Sequence, residues 1–273
     1  MGIITLLNGE SYNKEELLVL MEDDNFYFGH LSRNSLSQSS LKTILSNPYE
    51  YLRYLKGKKE KRSDALVMGS LVHWGYLEPE KFYNKHFIEA ERVTDKDYKE
   101  ALAKYGEENV YKAKLGRIAE AYIDSLNRCD ALNDIKSKAR IEVPAVKMFF
   151  EDIPIKGKAD LLLEDRVLDL KTTMVDPEAF NYWKILSMDY DLQAFIYCQI
   201  FEVDYFSFIP ISKVNKSKGL IHCGQDILDS GEEKFYKAIE IFKKFFYNKS
   251  IEESEGLLDN YYYEAVVNKP KRL

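Results

Sequence analysis

Residues 155–173, IKGKADLLLEDRVLDLKTT, constrain this chain more than any other stretch. Two runs rich in β-forming residues flank the polar pair Glu164-Asp165, the pattern of a tight hairpin. Side chains alternate along a strand, so Asp169 and Lys171 share one face while Leu168 and Leu170 point into apolar packing. A turn centred on Glu164-Asp165 places Asp160 directly opposite Asp169, with Cβ atoms about 5 Å apart. Two carboxylates that close repel each other unless a proton or a cation sits between them. A divalent metal suits the position, because hard cations take carboxylate oxygens. Lys171 would then orient or deprotonate a water, or neutralise charge developing on a phosphate. Taken alone, the hairpin also admits a plainer reading, a solvated polar face.

Three further patterns bear on that choice. Upstream, RIEVPAV (140–146) reads as a strand, and Pro144 places it at a sheet edge. A turn near Phe150-Glu151-Asp152 then sets Glu142 opposite Asp160, so that Glu142, Asp160 and Asp169 form one row across three strands. Downstream, Asp176-Pro177 reads as a helix cap followed by proline at the first helical position. One helix is expected from there to about Leu186, and a second from about Tyr190 to Phe201. Gln193 and Tyr197 lie on one face of the second helix, with Leu192, Ile196 and Ile200 on another. Their bland reading is a surface glutamine and a tyrosine at the edge of the core. Nearer the N-terminus, Met68, Val72 and Tyr76 follow helical spacing. Gly69 lies one turn before His73 and leaves room there for a close neighbour. A lone helical histidine is more often structural than a ligand.

Together these elements resemble the PD-(D/E)XK nuclease superfamily, in which an acidic residue precedes an acidic-x-Lys strand. Here those elements are Asp160 and Asp169-Leu170-Lys171. Gln193-x-x-x-Tyr197 resembles the RecB-type branch, where the pair helps position the nucleic acid and the active site. GSLVHWGYLEPEKF (69–82) resembles the helix of RecE-type phage exonucleases, the exonuclease VIII-like group, where a histidine lies beside the metal. Glu142 matches the glutamate that this group carries on the strand before the hairpin. LSQSSLKTILSNPYEYLRYL (36–55) is similar to the segment that opens it, and the likeness runs to about Tyr247.

The resemblance implies Mg²⁺ or Mn²⁺ held by His73, Glu142, Asp160, Asp169 and the backbone carbonyl of Leu170. It implies a catalytic set of Glu142, Asp160, Asp169 and Lys171, supported by Gln193 and Tyr197. DNA is the implied substrate. Lys156 and Lys158, on the strand face of Asp160, and the hydroxyls of Thr172 and Thr173 are candidate phosphate contacts. The implied activity is a metal-dependent exonuclease on linear duplex DNA in phage-type recombination. A ring-like homo-oligomer and a single-strand annealing partner come with that setting. Two alternatives stay open: an endonuclease on branched or single-stranded DNA, and a non-catalytic DNA-binding protein that keeps the fold.

Composition sets outer bounds. The chain has 273 residues, 45% of them hydrophobic, with 20 Tyr and 15 Phe, enough to fill a sizeable core. No run is long enough to span a membrane, and the N-terminus lacks the pattern of a signal peptide, so a cytoplasmic location is expected. Cys129, Cys198 and Cys223 make neither a disulfide framework nor the four-cysteine set of an iron–sulfur cluster. No Walker A loop is visible, so no ATP use is expected. The net charge of −6 argues against a general cationic coat for DNA. Local basic clusters remain at 53–62, 136–140, 213–218 and 269–272.

The expected fold class is α/β (or α+β), a central mixed sheet flanked by helices with a helical N-terminal half. Residues 1–30 read as a loosely attached arm. Residues 31–273 read as a single nuclease domain, mainly helical over 31–130 and sheet-containing over 131–273. Strands are expected near 140–149, 153–163, 167–172, 205–211 and 219–223. A final amphipathic helix, capped at Asp229 or Ser230, would present Phe235, Ile239, Phe242 and Phe246 as its apolar stripe.

Overall fold

The computed structural model describes residues 2–58 and 63–262. Residues 59–62 of the basic cluster at 53–62, and the whole cluster at 269–272, therefore lie outside the described residues. A six-stranded mixed sheet forms the centre. Along it run Ile221–His222, Tyr205–Ser212, Arg166–Thr173, Ile153–Leu162 and Leu36–Ser37, with Arg140–Phe149 also paired to Ile153–Leu162.

Two tight turns set the register. Leu161 pairs with Leu168 and Leu162 with Val167, and the Leu163 amide donates to the Arg166 carbonyl at 2.9 Å across the turn. The Arg140–Phe149 strand runs antiparallel to Ile153–Leu162 in one register, from Arg140 opposite Leu162 to Phe149 opposite Ile153. The three-residue turn between them uses left-handed backbone at Phe150 and Glu151. Pro144 pairs on one side only, which suits a residue with no N–H to give.

The other edge of Ile153–Leu162 is divided. Leu36–Ser37 pairs with it in parallel at Ile155–Lys156, and Arg166–Thr173 pairs with it only at Leu161–Leu162. Past Leu168 the second hairpin strand turns away and pairs along its whole length with Tyr205–Ser212. That pairing is parallel, so it needs a crossover, which the Tyr182–Ser187 and Tyr190–Phe201 helices provide. The divided edge opens the sheet beside Asp160.

The Asp64–Leu77 helix buries Met68, Leu71, Val72, Tyr76 and Leu77 against Leu161, Leu168, Leu170 and the Ala113–Asn127 helix. Its closest approach is at Gly75, where a Cβ would fall 2.0 Å from Ile123 Cδ1. Leu192, Ile196 and Ile200 of Tyr190–Phe201 pack with Phe235, Ile239, Phe242 and Phe246, so the expected apolar stripe is in place.

Several boundaries differ from the sequence reading. Pro177–Ala179 forms only a 3₁₀ turn, and Asn181 caps a separate short helix through the Lys184 amide. The last long helix begins at Gln225, not at Asp229 or Ser230, because Ile227 is already needed in the core. Ser37 caps the Gln38–Ser46 helix, in a capping box with Ser40. His86–Ile88 and Val110–Lys112 form a small parallel pair inside the segment read as mainly helical.

The N-terminal segment is firmly packed. Leu17, Met21 and Leu31 are fully buried in a cluster with Val146 of the edge strand. The boundary expected at 30/31 falls inside an unbroken helical run, Phe26–His30 followed directly by Leu31–Asn34. Among the described residues, no helix is long and apolar enough to cross a membrane.

Candidate active site

Three elements converge where the sheet opens. His73 reaches down from the Asp64–Leu77 helix, Glu142 comes from the edge strand, and Asp160 from the strand between them. His73 Nε2 lies 3.0 Å from Asp160 Oδ1 and 3.3 Å from Glu142 Oε1. One ligand atom from each of the three lies within 4.8 Å of the other two.

Glu142 reaches this cluster through unusual backbone. Its φ is 53°, left-handed, in the middle of a strand. Ile141 and Val143 pair normally on either side of it, so no residue is inserted. Holding a non-glycine residue there costs on the order of 1–3 kcal/mol, and such strain gathers at functional sites.

Asp160 and Asp169 are held differently. Asp160 Oδ2 accepts from the Leu170 amide at 2.8 Å, so the side chain bridges the gap where the two strands part. Asp169 Oδ1 accepts from the Gln193 side-chain amide. Its Oδ2 lies 2.7 Å from Lys171 Nζ in a buried ion pair. The Lys171 ammonium also sits 5.0 Å from the centre of the Tyr190 ring.

The electrostatics follow from burying so many charges together. Burial works against the His73 imidazolium, but Asp160, Glu142 and Asp169 outweigh it and lift His73 to about 9. Glu142 is pushed up to about 7, first by burial and then by Asp160 and Glu78. Burial, with Asp160 nearby, lifts Asp169 to about 6 against the pull of Lys171 and Gln193. Asp160 is also buried, yet His73, Lys171 and the Leu170 amide hold it below the usual carboxylate range. Lys171 stays a firm cation in spite of burial, because Asp169, Tyr190 and Asp160 face it.

The donor set fits a divalent cation. Glu142 Oε1 is a buried oxygen with no hydrogen-bond donor, 3.3 Å from His73 Nε2. Leaving such an atom without a donor costs roughly 1–3 kcal/mol, a cost that a bound cation removes. Carboxylate oxygens suit Mg²⁺ or Mn²⁺, and the imidazole adds affinity for a transition ion. The compact triad is His73, Glu142 and Asp160, and Asp169 stands outside it among Lys171 and Gln193. Leu170 enters the site through its amide.

Gln193 and Tyr197 divide their work between two strands. Gln193 fixes Asp169, while the Tyr197 hydroxyl donates to the Lys158 carbonyl at 3.2 Å on the open edge. The Tyr197 ring also packs beside Gly157, where a Cβ would meet it at an ordinary 3.5 Å. Thr172 packs toward Gly69, and the Thr173 hydroxyl is engaged by the Val175 amide.

The lysines expected at DNA are differently placed. Lys156 is buried, with its ammonium bound to the Tyr27 carbonyl and to Ser32 Oγ at 2.7 Å, and lying over the Tyr27 ring. Burial, with Lys158 nearby, lowers it to about 7. Lys158 pairs with Asp24 at 2.9 Å. The N-terminal segment thus covers both lysines, a contact between distant parts of the chain that strand alternation does not reveal. Glu78, Lys81, Asp24 and Tyr190 are neighbours of the site that the sequence reading did not name. Glu78 caps the end of the His73 helix and Lys81 lies in the next short helix, Pro79–Tyr83, so helical spacing from His73 does not reveal them. A cleft of about 910 Å³ lined by Phe28, Arg33, Ser37, Ser39, Tyr54 and Lys58 contains none of His73, Glu142, Asp160 and Asp169.

A family model described as a PDDEXK-like domain of unknown function (DUF3799) matches residues 37–256. The chain belongs to this PDDEXK-like family. The match begins within the LSQSSL segment and spans His73, Glu142, Asp160, Asp169, Lys171, Gln193 and Tyr197. A solved structure described as a "Putative exonuclease" from Eubacterium rectale shares the PDDEXK-like fold, with TM-score 0.60 and 16% identity. The alignment covers 90% of this chain and 95% of that one. A second, SSO0001, aligns with TM-score 0.30 and 15% identity over 75% of this chain and 85% of that one, too distant to carry an argument. No curated protein matches significantly.

Proposed function

We propose that this PDDEXK-like protein is a metal-dependent deoxyribonuclease that hydrolyses DNA phosphodiester bonds, and that it acts as an exonuclease on linear duplex DNA. The observation that carries the reading is the His73–Glu142–Asp160 triad with a buried, donorless carboxylate oxygen, set beside the Asp169–Lys171 pair. His73, Glu142 and Asp160 would hold Mg²⁺ or Mn²⁺, with Asp169 and the Leu170 carbonyl as further candidate ligands. A bound ion of this kind activates a water and offsets charge on the phosphate.

The chain's own groups then have separate tasks. Lys171, kept cationic by Asp169 and Asp160, orients the water or meets charge developing on the phosphate oxygens. Gln193 fixes the Asp169 carboxylate and so the Lys171 ammonium beside it. Tyr197 steadies the open strand edge that carries Asp160. Thr172, at the mouth beside Gly69, is a candidate phosphate donor. A place in phage-type recombination or DNA processing follows from the RecE-type resemblance alone.

Digestion of end-labelled linear duplex and of covalently closed circles, with Mg²⁺, with Mn²⁺ and with EDTA, tests the reading. Metal-dependent loss of linear DNA with circles spared is expected. Rapid cutting of relaxed closed circles would favour an endonuclease.

A further inference from the structure

Asp24 projects from the N-terminal segment to the edge of the acidic triad and is gripped there by two lysines from unrelated parts of the fold. Asp24 Oδ1 lies 2.9 Å from Lys158 Nζ, and Asp24 Oδ2 lies 2.5 Å from Lys81 Nζ. Lys158 is on the Asp160 strand, two residues from that carboxylate and on the same strand face. Lys81 follows the His73 helix and is braced at 2.8 Å by Glu78, whose own charge is felt by Glu142. One carboxylate with an oxygen on each of two lysines has the geometry of a bound oxyanion.

The surroundings set this apart from a surface ion pair. The Lys158 side chain is only 11% exposed, whereas Asp24 and Lys81 are 41% and 37% exposed. The Lys158 ammonium is therefore a buried, fixed floor, while Lys81 and the carboxylate between them are open to solvent and to exchange. The Tyr27 and Phe28 rings line the Lys158 ammonium at 4.9 and 5.5 Å, and Phe28 is 64% exposed. An aromatic face beside a phosphate site suits a nucleotide, whose base stacks while its backbone pairs with the lysines.

We propose that Lys81 and Lys158 form a binding site for a backbone phosphate of nucleic acid, and that Asp24 occupies it in the free protein as a displaceable stand-in. The site takes a phosphodiester next to the one being cleaved, and entering DNA exchanges with Asp24. It rests on the nuclease reading for its substrate class but not for its measurement.

Oligonucleotide affinity, measured by fluorescence anisotropy in EDTA, tests the site without hydrolysis. Asp24→Asn should bind several-fold more tightly than wild type. Its affinity should also fall more steeply with salt, since the two lysines then release a salt anion rather than an internal carboxylate when the phosphate enters. Lys81→Ala in the Asp24→Asn background should cancel the gain. A plain strut would give a lower melting temperature and affinity equal to wild type or weaker, and that overturns the proposal. So does absence of oligonucleotide binding by every variant. If Asp24→Asn does not fold, lysine acetylation of the wild type read by mass spectrometry decides. The oligonucleotide should protect Lys81, and equal labelling with and without it overturns the site. The nuclease reading is scored separately, by wild-type cleavage with Mg²⁺ or Mn²⁺. Cleavage with an inert Asp24→Asn sinks this site alone, and tighter binding without cleavage sinks the nuclease reading alone.

Discussion

Glu142 lies directly across from Asp160 in a register that is unbroken on both sides, yet the two residues form no ladder pair. Glu142 adopts left-handed backbone instead, and its carboxylate meets His73 rather than solvent. The strand thus carries strain at the position where the metal ligands converge.

Relieving that strain should stabilise the metal-free protein. Glu142→Gly removes a left-handed side chain, worth about 1–3 kcal/mol, and a buried oxygen without a donor. Glycine's extra freedom returns about 0.5–1 kcal/mol of that. The melting temperature in EDTA should rise by a few degrees, and the further rise on adding Mn²⁺ should be lost. A lower melting temperature in EDTA would show that Glu142 is held without strain.

Metal affinity should increase with pH. Ligands must shed their protons to bind, and His73 and Glu142 sit at about 9 and 7 in the metal-free protein. Above pH 9 both are free to bind. Between 7 and 9 each ion displaces the His73 proton. Below 7 it displaces the Glu142 proton as well, so affinity falls more steeply there. Calorimetry of Mn²⁺ binding in buffers of different ionisation enthalpy counts these protons. An affinity independent of pH, with no proton released, would contradict the His73 and Glu142 assignments.

The strand pairings around the site were legible because short turns and period-two alternation leave little freedom. Glu164-Asp165 and the Phe150–Asp152 turn fixed both registers and so set Glu142 opposite Asp160, but the hairpin strands part after Leu168, so Asp169 does not pair with Asp160 as expected. The surroundings of Lys156 and Lys158 were not legible. Alternation gives the face a lysine points to, but not that Asp24, Tyr27 and Ser32, some 130 residues earlier, cover it. The start of the Gln225–Phe245 helix was missed because Asp229 and Ser230 look like caps, whereas Ser230 in fact binds Asp191 from inside the helix. The three-residue strands at 86–88 and 110–112 are too short to show alternation and are joined only by distant parallel pairing.

Two glycines should respond in opposite ways to alanine. At Gly231 a Cβ would fall 2.2 Å from the Asp191 carbonyl oxygen, which the start of the Gln193 helix cannot move to avoid. Gly231→Ala should cost about 1–3 kcal/mol of stability and displace Gln193 from Asp169. At Gly69 the same atom meets Thr172 Oγ1 at an ordinary 3.5 Å. Helix propensity then favours alanine there by up to about 1 kcal/mol, so Gly69→Ala should melt at or above wild type. Thermal denaturation of both variants checks the pair, and equal destabilisation would mean that the Gly231 contact can relax.

The most direct measurement is cleavage of a labelled linear duplex by wild type, Asp160→Ala and Lys171→Ala, each with saturating Mg²⁺ or Mn²⁺ and each confirmed as folded. Wild type should cleave only with metal. Asp160→Ala should be inactive, and Lys171→Ala should be slower by about 10²–10³-fold, the usual loss when one stabiliser of transition-state charge is removed. Cleavage at wild-type rates by either variant, or none by wild type with either ion, would contradict the assignment of this site as a metal-dependent nuclease centre.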